Sequence, residues 1–293
     1  MNSIELKSRA KINLSIDVLG KRQDGYHLVE MIMQTIDLYD IIKIKEVNNN
    51  DIIINSNSSD IPLDGNNIVY KAVDLLRRTF SIEKGVEIFI EKNIPIAAGM
   101  AGGSSNAAAV LVGLNKMWNL NLSDKKLQEL GFKLGADVPF CIVGNAALAK
   151  GVGEELTYIK GLPKDVSILV CKPELFVSTK EVYEGLDLSN IKIRPNNEYL
   201  IQCLKNNDID SISRNMVNVL EAVTSKNHAQ IKEIEEIMNE NKALGSMMSG
   251  SGPTVFGLYK NKEDALKGKK ELLKKYKQVY VVNSSEKGVE ING

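Results

Sequence analysis

The segment Pro95-Ile96-Ala97-Ala98-Gly99-Met100-Ala101-Gly102-Gly103-Ser104-Ser105-Asn106 constrains this chain more than any other. It follows an isoleucine- and valine-rich stretch, Val86 to Glu91, and opens an alanine-rich one, Ser104 to Leu114, so it reads as a glycine-built connection from strand to helix. Glycines let the backbone turn sharply and approach a ligand, while a helix start offers unpaired N–H groups and about half a positive charge. Together these make a phosphate loop. Ser104 and Ser105 add hydroxyls, as donors to a phosphate or, for Ser105, as a ligand to a Mg²⁺ ion carried by the nucleotide. A tight strand-to-helix turn needs the same glycines, but the serines at the helix start favour the phosphate reading. Neither G-x-x-x-x-G-K-[ST] nor G-x-G-x-x-G occurs, which excludes a P-loop NTPase and a Rossmann dinucleotide site.

The remaining pattern places this loop in a mixed fold. Strands are expected over Ile4 to Leu19, Leu28 to Asp37 and Ile41 to Val47, and helices over Asn67 to Phe80 and from a Ser123 cap to Leu134. A break at Gly161-Leu-Pro-Lys164 divides the 293 residues into a first domain, 1–160, and a second, 161–293, in line with the length at which one core usually becomes two. The second half alternates a strand at Val166 to Cys171, helices at Thr179 to Leu186, Glu198 to Lys205 and Asn227 to Asn241, strands at Leu244 to Met248 and Thr254 to Tyr259, a helix at Glu263 to Tyr276, and a strand at Val279 to Val282. The fold class is α+β.

Charge and composition narrow the partner. Lysine plus arginine and aspartate plus glutamate both number 37, so no net field favours nucleic acid or an acidic membrane, and a small molecule is expected. The lysines around Lys269 and Lys274 share their helix with Glu263, Asp264 and Glu271 and read as a solvated face. Three cysteines without a C-x-x-C pair, and two histidines, give no metal-ligand cluster. No apolar run approaches the ~18 residues of a spanning helix, and the expected location is cytoplasmic.

Three further segments accompany the loop: Ala10-Lys11-Ile12-Asn13-Leu14, Gly135-Ala136-Asp137-Val138-Pro139-Phe140, and Met248-Ser249-Gly250-Ser251-Gly252-Pro253-Thr254-Val255-Phe256. In this order, and over nearly the whole length, the chain resembles the GHMP kinase superfamily. The resemblance implies a two-domain GHMP kinase fold, with a ribosomal-protein-like N-terminal domain, a ferredoxin-like C-terminal domain, and ATP and acceptor meeting in the cleft between them. Mg²⁺ would accompany ATP. Lys11 to Asn13, Gly25-Tyr26-His27 and Gly135 to Pro139 look like the branch whose acceptor is a methylerythritol carrying a cytidyl diphosphate, phosphorylated on its 2-hydroxyl for isoprenoid precursor synthesis outside the mevalonate route. A homoserine- or mevalonate-type kinase of the superfamily, and a non-catalytic nucleotide sensor of the same fold, are the alternatives.

The resemblance also implies roles. Asp137 would accept the proton of the acceptor hydroxyl, and Lys11 would keep that carboxylate ionised and stabilise charge on the transferred group. The residues from Pro95 to Ser105, with Asn67, would hold the nucleotide. Asn13, on the same strand face as Lys11, would bond the erythritol part, and Lys92 would lie near the diphosphate. Tyr26 and Tyr183 would sandwich the cytosine, His27 would read its edge, and Thr179 would stand on the same substrate side. Gly250 to Gly252 would close over the phosphates. Plainer roles exist for each: a helix cap for Asp137, a solvated charge for Lys11, core edges for the tyrosines. The chain departs from many members in carrying Ala97 and Ala98 in place of glycines, which predicts a stiffer loop. A monomer or homodimer is expected.

Overall fold

A computed structural model describes residues 2–292. Its frame is a hairpin of two long strands, β1 (Ser3–Lys21) and β2 (His27–Val47), paired antiparallel from Ser3 opposite Lys45 to Lys21 opposite His27. Strands of 19 and 21 residues exceed the usual ~3–10 because apolar side chains on both faces find partners. Leu6, Ile16, Met33, Ile42 and Ile44 join one core with the helices, whereas Ala10, Ile12, Leu14, Ile32, Ile36 and Leu38 join another with the second half of the chain. The sequence suggested a break between Asp37 and Ile41. The strand instead runs through, since the fully buried Asp40 carboxylate accepts the backbone N–H groups of Asn93 at 2.7 Å and Ile94 at 2.8 Å.

The hairpin is extended by β3 (Ile52–Ser56), α1 (Ile68–Phe80) and β4 (Gly85–Glu91), with β4 antiparallel to β2 and β3 parallel to β4. The phosphate-loop segment then enters α2 (Gly102–Met117), which packs along β1 and α1. There follow α3 (Asp124–Phe132), capped by the Ser123 side chain, the short α4 (Val138–Val143), and the pair β5 (Ala146–Lys150) and β6 (Glu155–Ile159), of which β5 joins β2.

After residue 160 the chain changes sheet. β7 (Ser167–Lys172) is followed by α5 (Thr179–Glu184), α6 (Asn197–Asn206), α7 (Ile209–Asn215), the two-residue β8 (Val217–Asn218) and α8 (Glu221–Asn227). The helix expected over Asn227 to Asn241 is present as α9 (Gln230–Glu240), starting three residues later because α8, which the sequence did not disclose, occupies the chain up to Asn227. Then come β9 (Gly245–Met248), β10 (Val255–Tyr259), α10 (Lys262–Leu272), β11 (Gln278–Val282) and β12 (Val289–Ile291). The second sheet has the order β11-β7-β10-β9. Twice the chain returns to the first sheet, β8 pairing parallel with β1 at Ser15 and Ile16, and β12 pairing antiparallel with β1 at Leu6 to Ser8. Ile168, Val170, Phe256 and Leu258 pack against the hairpin, so the two units share a core. Among the described residues no helix is long and apolar enough to cross a membrane.

Candidate active site

The strand that carries Lys11 and Asn13 is irregular there. The β1–β2 register shifts between Arg9 and Lys11 and again between Asn13 and Ser15, and such bulges re-aim side chains. Both residues are buried, and the Lys11 ammonium donates to Asn13 Oδ1 at 2.7 Å and to the Gly99 carbonyl at 3.2 Å. Its third neighbour is Asp137, whose Oδ2 lies 4.0 Å away, with the lysine side chain 6% and the carboxylate 31% exposed. Asp137 stands at the N-cap position of α4 but its side chain makes no capping bond. The carboxylate is therefore available to the cavity rather than to its own helix.

The phosphate-loop segment lies against this pair. The Lys11 N–H donates to the Met100 carbonyl at 3.2 Å, while Met100 itself is core. Gly99 has φ +70°, and the alanines at 97 and 101 also take left-handed backbone, φ +51° and +57°, at a cost of roughly 1–2 kcal/mol each. The stiffness expected of an alanine-bearing loop is thus joined by strain. A methyl group on Gly99 would stand 2.3 Å from the Ser249 carbonyl of the second unit, whereas one on Gly103 would meet only Ile68 at 3.7 Å. Gly99→Ala is accordingly expected to lower the melting temperature by several degrees, from the left-handed penalty plus the displaced loop, while Gly103→Ala leaves it within about a degree. Thermal unfolding followed by circular dichroism checks the contrast.

Beneath the loop sits a buried ion pair. The Lys92 ammonium contacts the fully buried Asp40 carboxylate, and Asp40 Oδ2 also accepts from Asn106 Nδ2 at 2.7 Å. Asn106 Nδ2 reaches Ser8 Oγ at 2.8 Å as well. The network joins the interior of β2, the exit of β4 and the second turn of α2, and so fixes where the loop begins and ends. Asp40 was not legible as part of the site. Its partners lie more than fifty residues along the chain.

A cavity of about 670 Å³ opens above these groups. Lys11, Asn13, Asn67, Lys92, Pro95 to Gly99, Ala101 to Ser104, Asp137, Thr179 and Tyr183 all line it. Asn67 also caps α1, its Oδ1 accepting from the Val69 N–H at 2.9 Å. From the second unit, Gly250 and Ser251 line the same cavity, with Thr179 and Ser251 hydroxyls 2.8 Å apart and Ser249 Oγ donating to the Gly99 carbonyl at 3.2 Å. The walls include Met31 and Val152, apolar positions that carried no signal in the sequence.

Four expected site residues stand elsewhere. Met100 faces the core. Ser105 is fully buried and its Oγ donates to the Arg9 carbonyl at 2.7 Å, so of the two serines Ser104 is the one that lines the cavity. Tyr26 is 63% exposed in the hairpin turn and does not line the cavity. His27, not Tyr26, stands opposite Tyr183, with ring centroids 5.1 Å apart at 38°, a contact distance that admits no base between them. Burial, then Lys21, holds the His27 imidazole below its ordinary value, and burial, then Asp137, pushes the Tyr183 hydroxyl up to about 12. Both rings are neutral near pH 7.

Comparison with known proteins agrees with this geometry. Residues 67–145 match the profile of the GHMP kinases N terminal domain and residues 200–278 that of the GHMP kinases C terminal domain. The chain is 73% identical over 293 residues to the 4-diphosphocytidyl-2-C-methyl-D-erythritol kinase of Clostridioides difficile (strain 630), covering 100% of this chain and 99% of that protein. It is 54% identical over 284 residues to the enzyme of the same name from Alkaliphilus metalliredigens (strain QYMF), covering 97% of each. Among solved structures, a 4-(cytidine 5'-diphospho)-2C-methyl-D-erythritol kinase superposes with a TM-score of 0.82 at 29% identity, covering 96% of this chain and 99% of that one. A homoserine kinase from Cytophaga hutchinsonii superposes with a TM-score of 0.80 at 20% identity, covering 100% and 98%, a likeness of fold.

Proposed function

The chain belongs to the GHMP kinases, and from that premise we propose that it transfers the γ-phosphoryl group of ATP to the 2-hydroxyl of 4-diphosphocytidyl-2-C-methyl-D-erythritol. The observation that carries this reading is the meeting of Lys11, Asn13 and Asp137 with the N-terminus of α2 in one cavity. Phosphoryl transfer asks for positioning and charge stabilisation more than for covalent chemistry, and these groups supply both.

The N–H groups at the start of α2 and around Gly99 to Gly103 bind the triphosphate, with Asn67 at the nucleoside side. The acceptor hydroxyl approaches Asp137, which takes its proton as the new O–P bond forms. Lys11, held by Asn13 and the Gly99 carbonyl, keeps its ammonium beside that carboxylate and the transferring group. Among the described residues no cluster of three acidic, histidine or cysteine side chains is present, so Mg²⁺ would be held chiefly by the nucleotide, with the Ser104 hydroxyl as the protein's contribution. When bound, the ion neutralises charge on the phosphates. Tyr183 supplies an aromatic face for the cytosine, and His27, which lies against that ring outside the cavity lining, steadies it. Lys92, locked against Asp40, lies under the phosphate loop, and its role is to hold that loop in register.

An ADP-release assay with a panel of acceptors tests the reading. Turnover is expected with the cytidyl diphosphate of methylerythritol and none with homoserine or mevalonate. Turnover with either of the latter alone would move the chain to another branch of the family, and ADP release with none would make it a nucleotide-binding sensor.

A further inference from the structure

We propose that Asn218 is a positioning residue for phosphoryl transfer, acting through the Gly250 loop by holding its carbonyls off the cavity. The claim rests on the reading that the nucleotide phosphates lie between this loop and the start of α2.

Asn218 is buried, and its side-chain amide gives one hydrogen to the Met248 carbonyl and the other to the Gly250 carbonyl, each at 2.8 Å. The amide cannot turn over, because its Oδ1 accepts the Leu220 N–H at 3.1 Å. One turn on, Thr224 Oγ1 donates to the Ser251 carbonyl at 3.1 Å, and the Ser249 carbonyl accepts the Gly252 N–H at 3.0 Å. Every carbonyl from Met248 to Ser251 thus has a partner within the second unit. Glu221 fixes the loop from its other side, accepting the Met248 N–H at 2.9 Å while Lys232 holds Glu221 at 2.5 Å.

Electrostatics gives the arrangement its meaning. A glycine loop presents either N–H groups or carbonyls to a ligand, and carbonyls aimed at a triphosphate repel it. With these acceptors engaged, the loop that lines the cavity at Gly250 and Ser251 is left to present N–H groups, a nest for anionic oxygen. The register comes from the catalytic strand itself. β8 pairs with β1 at Ser15 and Ile16, and the Val219 N–H donates to the Ile16 carbonyl at 3.1 Å, a few residues beyond Lys11 and Asn13. Asn218 therefore couples the strand bearing Lys11 to the loop facing it across the cavity.

Steady-state kinetics and ADP calorimetry on the full chain test this. Asn218→Asp keeps the shape but replaces two donors with an acceptor, and is expected to raise the KM for ATP and the Kd for ADP about 10- to 100-fold, with the acceptor KM within about twofold. Thr224→Val, which removes one donor at constant volume, is expected to raise both nucleotide constants about 2- to 10-fold. A merely structural role lowers the active fraction without moving KM. Unchanged nucleotide constants in a folded Asn218→Asp, or equal rises for ATP and acceptor, overturn the proposal. Should that variant not fold, unchanged constants in Thr224→Val overturn it instead. An inactive wild type would sink the kinase reading, while the ADP calorimetry would still decide the part assigned to Asn218.

Discussion

Replacing Asp137 by asparagine should lower turnover about 10²- to 10⁴-fold while leaving the KM for ATP close to that of the wild type, the loss expected when a general base is removed. The side chains are nearly isosteric, so the cavity keeps its shape, but the amide does not accept the acceptor proton. Asp137 makes no capping bond to α4, which removes the plainest structural reason for a carboxylate at this position. Its one close ionic partner among the described residues is Lys11, at 4.0 Å. If the two act as a unit, Lys11→Met combined with Asp137→Asn should cost little more than the worse single change. Rapid-quench and steady-state measurements with saturating acceptor decide the matter. Near-normal turnover in Asp137→Asn would remove the residue from the mechanism, and strict additivity would separate it from Lys11.

The second large effect is on stability. Asp40→Ala should destabilise the protein by about 3–5 kcal/mol, because it leaves the Lys92 ammonium buried without its counter-charge. It also strips acceptors from the Asn93 and Ile94 N–H groups and from the Asn106 amide, which the carboxylate serves at 2.7 Å, 2.8 Å and 2.7 Å. The paired change Asp40→Asn with Lys92→Met should recover most of the loss, since the asparagine oxygen still accepts from the backbone and no charge remains buried. Urea unfolding measures both. A loss under about 1 kcal/mol for Asp40→Ala would mean that water, not the protein, satisfies this network.

What the sequence disclosed was local chemistry. The glycine-built turn from β4 into α2 was legible because positive φ, close backbone approach and a helix start all ask for small residues within a dozen positions. The pairing of Lys11 with Asp137 was reachable only through the family likeness, since 126 residues separate them. Which serine faces the cavity was not legible. Adjacent positions on a helix differ by about 100° in direction, and the true start of α2 at Gly102 turns Ser105 into the core and leaves Ser104 outside. The outward position of Tyr26 was not legible for a related reason, because the outlook of a residue in a turn depends on that turn's dihedrals rather than on its strand neighbours. The uninterrupted β2 was hidden by Asp40, a charge that reads as a break until its buried partners are known.

The pairing of β12 with β1 has a consequence for how this chain comes into being. Leu6, Lys7 and Ser8 find their outer partners in Ile291, Glu290 and Val289, so β1 waits for residues more than 280 positions further along the chain to be synthesised. Translation delivers them at about 5–20 residues per second, which leaves the edge of β1 unpaired on the ribosome for tens of seconds while the phosphate loop and its helix are already outside. Contacts of such sequence separation are the slowest to close. The edge is guarded meanwhile by its own residues, since Glu5, Lys7 and Arg9 punctuate it with charge, a pattern that discourages pairing with another nascent chain.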